Sequence, residues 1–120
     1  MGKFSADAMQ RYILTAKQRE QQTLQRRQDR QAQAMMIAST AAQLLRDLFG
    51  ASRVVVFGSL VSDRFNEASD IDLAVWDLPE SRYFQAVGKL QGLSELAIDL
   101  VRVETASADL LGAIGQGTEL

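Results

Sequence analysis

The sequence predicts a small α/β (α+β) domain, a mixed β-sheet covered by helices and preceded by a long helical extension. Three observations predict it. Between Ser5 and Phe49 there is no glycine or proline, and Ala, Gln, Arg, Leu and Met, all good helix formers, dominate. After Gly50 the pattern changes to short apolar, β-branched runs. Between those runs lie segments with helical apolar spacing, so strands and helices alternate.

Ser5 is placed to cap the first helix and Gly50 to stop it. Fully helical, the segment would extend about 68 Å at ~1.5 Å per residue, longer than a domain of this size. Its two parts differ. Residues 17–33, KQREQQTLQRRQDRQAQ, contain a single sizeable apolar side chain, Leu24. From Ala34 to Phe49, Met36, Ile37, Ala41, Leu44, Leu45 and Leu48 recur at helical spacing and predict a core-facing stripe. The chain therefore divides into a polar helical extension, residues 1–33, and a body, residues 34–120. Met9, Tyr12, Ile13 and Ala16 form an apolar patch far out on the extension, suited to a partner or a second copy.

The body continues with a strand at Arg53–Phe57 and another at Ile71–Trp76. Pro79 precedes a helix over about Ser81–Leu90, with Tyr83, Phe84, Val87 and Leu90 as its apolar stripe. LAIDLVRV, Leu96–Val103, is a third strand; a last helix covers about Ala106–Ile114, and GQGTEL follows.

Composition removes whole classes of chemistry. The 120 residues include no cysteine and no histidine, which excludes disulfides, the usual zinc sites, Ser-His-Asp triads and histidine proton shuttles. The extension holds seven basic and three acidic residues, a balance of +4; the body's six basic and twelve acidic residues give −6. No apolar run approaches the ~18 residues of a membrane span, and no signal-like segment opens the sequence, so a cytoplasmic location is expected.

Two acids then stand where strand residues should be apolar. Asp70 and Asp72, two apart at the mouth of the second strand, point to one face. Burying both without a counter-charge would cost several kcal/mol each, and a divalent cation is the economical partner. Asp99 interrupts the third strand in the same way. If that strand lies beside the second, three carboxylates can surround one or two metal ions, as in-line displacement at phosphorus uses. Gly58-Ser59, closing the first strand, suits a phosphate approached by backbone N–H groups and a hydroxyl. Taken singly, each has a plain reading: a turn, a solvated loop, an edge-strand charge that discourages aggregation. Their order and spacing are what point to chemistry.

Taken together, FGSLVSDRFNEASDIDLAV followed by IDLV resembles the minimal nucleotidyltransferases (MNT) of the polymerase-beta-like superfamily. That pattern is an apolar residue with Gly-Ser, about ten residues, Ser-Asp-x-Asp, and a third acid on a later strand. Here the positions are Gly58, Ser59, Ser69, Asp70, Asp72 and Asp99. LLRDLFGASRVVVFGS and AIGQGTEL are similar to the family's leading and closing segments, so the resemblance covers residues 34–120. It implies the nucleotidyltransferase fold and transfer of AMP from ATP with Mg2+, releasing pyrophosphate. Gly58, Ser59 and Ser69 would bind the nucleotide, Asp70 and Asp72 the metals, and Asp99 would be metal-bridging or the base. Many such proteins adenylylate and bind a HEPN-type RNase toxin as its antitoxin, which makes a HEPN-type toxin the implied partner.

The sequence departs from the pattern at one point. Many relatives carry a basic residue and glycine four and five positions after the first glycine, where this chain has Ser62-Asp63. Arg64, displaced by two, is the candidate substitute at the nucleotide. The departure keeps open an inactive module that neutralises a partner by binding alone. A small-molecule transferase of the aminoglycoside-modifying kind is a further alternative, though 120 residues leave no second domain for a substrate pocket. The extension offers a surface for homo-oligomers; with so few aromatic residues it is not expected to bind nucleic acid.

Overall fold

The computed structural model describes residues 5–120; Met1–Phe4, the start of the extension and the site of Lys3, lie outside them. Helix α1 runs from Ala6 to Phe49. The Ser5 hydroxyl accepts the Ala8 N–H at 3.1 Å, and Gly50, left-handed at φ 71°, closes the helix by donating to carbonyls of its last turn. The extension and the packed segment form one continuous helix, and the molecule measures 72 × 29 × 21 Å.

Only the C-terminal part of α1 is buried. Ala34, Ala38, Ala41, Ala42, Leu45 and Phe49 face the sheet, while Met36 and Leu48, expected in the core, are exposed. Met36 follows Ala34 by two residues, about 200° around the helix. A stripe rich in alanine carries the contact instead, and its small side chains let the helix axis approach the sheet closely. Two residues at the end of the extension are tied to the body: Arg30 pairs with Glu67 at 3.6 Å, and the Gln31 amide donates to the Leu60 carbonyl at 2.8 Å.

The sheet has four strands: β1 (Arg53–Phe57), β2 (Ile71–Trp76), β3 (Ile98–Arg102) and β4 (Thr118–Glu119), in the order β3-β2-β1-β4. β1 pairs antiparallel with β2 and β4, and β2 pairs parallel with β3. The parallel pair needs a crossover, which helix α2 (Tyr83–Gln91) supplies. Helix α3 is Ala108–Gly115, capped by the Ser107 hydroxyl. β4 was not expected from GQGTEL. It forms because Gly117 passes against β1 so closely that a Cβ would overlap the Val56 carbonyl.

Strand alternation divides the sheet into two faces. Val54, Val56, Ile71, Leu73, Val75, Ile98 and Leu100 pack under α1 and α2. Val55, Phe57 and Ala74 meet Ile114 of α3 on the other. On α2, Ala86 and Leu90 are buried, whereas Phe84, expected on the buried stripe, is exposed. No helix of the described residues is long and apolar enough to cross a membrane.

Candidate active site

The acids lie on the face that α3 covers only in part. Asp72 shares the parity of Ala74, and its register partner in β3 is Asp99, which shares the parity of Val101. Asp70 precedes β2 by one residue and has the same parity as Asp72. Asp70 and Asp99 are exposed and Asp72 is half-buried. The parallel pairing of β2 and β3 is what sets Asp72 beside Asp99.

Gly58 stands against them. β1 ends at Phe57, whose register partner is Asp72, and the chain then turns through a short 3-10 helix, Gly58–Val61. Gly58 has φ 76°, and a Cβ there would overlap the Asp72 carboxylate oxygen. Glycine is thus required twice, for the left-handed backbone and for the space beside the acid. Ser59 follows half-buried in that turn.

The loop from Ser62 to Ser69 is built from its own polar groups. Ser62 Oγ donates to the Ser59 carbonyl at 3.1 Å and accepts the Arg64 N–H at 3.3 Å, holding the end of the turn. Phe65 anchors the loop in the core. The Asn66 side chain accepts the Ala68 N–H at 2.8 Å, and Ser69 Oγ accepts the Asn66 N–H at 3.1 Å. Ser69 therefore closes the loop that delivers Asp70 to β2. Arg64 is exposed on the same loop.

The electrostatics are those of uncompensated negative charge. Burial, then the carboxylates of Asp99 and Asp70, hold the Asp72 carboxyl above its ordinary range. The ion pairs among the described residues, Arg30–Glu67 and Arg53–Glu119, involve none of the three. Among the described residues, no group of three or more acidic side chains is arranged to hold a metal ion by itself. Carboxylates on an open face repel one another, and Mg2+ characteristically takes one or two carboxylates and fills its shell with water and substrate phosphate oxygens. An oxygen-only donor set with raised Asp72 basicity fits that ion.

The sequence did not reveal what borders Asp99. Glu80, Tyr83 and Phe84 of the α2 N-terminal region stand across a groove from Asp99, Arg102 and Thr105. The one signal available was Phe84 itself, which the periodicity assigned to the core.

A half-open mixed sheet with a glycine-led turn closing its first strand and a parallel βαβ crossover is the nucleotidyltransferase fold. The chain belongs to the polymerase beta nucleotidyltransferase family, whose model matches residues 40–120. No curated protein matches it. Among solved structures it is similar to the toxin–antitoxin MntA–HpeT in a doubly substituted form, with TM-score 0.59 and 25% identity over 68% of this chain and 70% of that one. It is also similar to a toxin–antitoxin crystal structure with AMP-PNP, with TM-score 0.56 and 29% identity over 64% and 66% of the two chains. A third similarity is to a tri-AMPylated Shewanella oneidensis HEPN toxin in complex with MNT antitoxin, with TM-score 0.54 and 25% identity over 72% and 70%.

Proposed function

We propose that this chain is a Mg2+-dependent adenylyltransferase that moves AMP from ATP onto a hydroxyl of a HEPN-type toxin, as its antitoxin. The observation that carries this reading is the register of Asp72 with Asp99 beside the close approach of Gly58. The similar structures with AMP-PNP and with an AMPylated toxin support it. In this reading residues 34–120 are the transferase body and residues 1–33 an appended extension.

Asp70, Asp72 and Asp99 would hold one or two Mg2+ ions, which when bound neutralise developing charge on the phosphate oxygens. The chain's own groups do the rest. Backbone N–H groups at Gly58–Ser59 and the Ser59 hydroxyl orient the triphosphate, and Arg64 offers it a cation from the loop. Ser69 acts at one remove, fixing the loop that positions Asp70. Asp99 is the carboxylate placed to accept the proton of the attacking hydroxyl.

The partner protein incubated with wild-type chain, ATP and Mg2+ should gain the mass of AMP. Asp70→Ala and Asp72→Ala should each lower that transfer by about a thousandfold or more. A wild type as inert as the variants, with partner present, removes the enzymatic reading.

A second reading has its own observation. Ser62 is committed to closing the turn after Gly58, where many relatives place a basic residue. A binding-only antitoxin predicts that the acid variants still neutralise the partner.

A further inference from the structure

The groove beside Asp99, about 570 Å³, has a composition unsuited to the nucleotide. Glu80 and Asp99 face it against one cation, Arg102, whose Nε already donates to the Leu78 carbonyl at 2.9 Å. With Asp99 given to the metal, Glu80 and Arg102 leave the groove near neutral, with no cation free for a triphosphate, and that suits a polypeptide. Its wall is aromatic and fixed. The Tyr83 hydroxyl donates to the Leu100 carbonyl at 2.6 Å, and Phe84 meets Tyr83 edge-on, 5.4 Å between ring centres at 69°. Phe84 nevertheless leaves 84% of its surface in water, on a helix whose Ala86 and Leu90 are fully buried. An exposed ring at a groove wall, seated edge-on against a hydrogen-bonded tyrosine, is a contact surface for an apolar side chain.

We propose that this groove seats the acceptor polypeptide, with an apolar side chain near the modified hydroxyl packed on Phe84. The inference rests on the transferase reading above and adds to it a specificity-determining residue outside the acid face. Asp99 borders both the groove and that face, so a hydroxyl carried along the groove reaches its carboxylate. The acceptor oxygen bonds to the α-phosphorus of ATP, the bond to the bridging oxygen breaks, pyrophosphate leaves with that electron pair, and Asp99 takes the hydroxyl proton.

The test uses the full chain with a HEPN-type toxin as the partner protein, affinity and transfer kinetics being measured together. Phe84→Ala should weaken partner affinity and raise the acceptor KM by about tenfold. It should leave kcat within about twofold and the stabilisation by Mg·ATP unchanged. Phe84→Leu should recover most of the loss, and Phe84→Asp should deepen it. Unchanged affinity and KM in Phe84→Asp would overturn the proposal, whatever the rate of transfer. If wild type binds the partner through Phe84 yet transfers nothing, the groove assignment stands and the transferase reading falls.

Discussion

Adjacent residues of β2 answer to opposite demands. Leu73 points into the closed face beneath α1 and α2, fully buried among aliphatic side chains. Asp72, one residue earlier, points to the open face, half-buried beside two further carboxylates. The closed face is optimised for packing. The open face retains a repulsion that packing would remove, in keeping with the ligand role proposed for it.

Breaking the closed face should have the largest effect on stability. Leu73→Ala is expected to cost about 2–5 kcal/mol in urea unfolding, through lost burial and the cavity left behind. Gly58→Ala lies where the two faces meet and should cost less, about 1–3 kcal/mol, from a strained backbone. Its larger consequence is displacement of the Asp72 carboxylate, so transfer activity should fall far more than stability does.

The smallest effect has the opposite sign. Asp72 holds its proton more tightly in the fold than in the unfolded chain, so its ionisation opposes folding. Wild-type stability should decline as pH rises from the ordinary aspartate range through the raised value of Asp72. Asp72→Asn should remove that decline and melt a few degrees higher at neutral pH. Thermal melts of both proteins across acidic to neutral pH check this, and a less stable variant would mean that the carboxylate is compensated after all.

How much could be read in advance follows the same division. β1 and β2 have the bounds their apolar, β-branched runs suggested, because that signal is local. The shared parity of Asp70 and Asp72 is local too. The pairing of Asp72 with Asp99 was legible only as a condition, since it depends on β3 lying beside β2. Large side chains misled three times: Met36, Leu48 and Phe84 fit an apolar stripe but face water, while alanines carry much of the α1 contact. β4 escaped notice because two residues hold it, placed by a glycine whose close approach no periodicity reports.

In the proposed reading the open acidic face is a cation–nucleotide site and not an unpaired surface. Melting wild type and Asp72→Asn with and without Mg·ATP tests it most directly. Wild type should gain several degrees with Mg·ATP, through binding to the folded state alone. Asp72→Asn should begin higher and gain nothing. Equal gains in both proteins would contradict the claim.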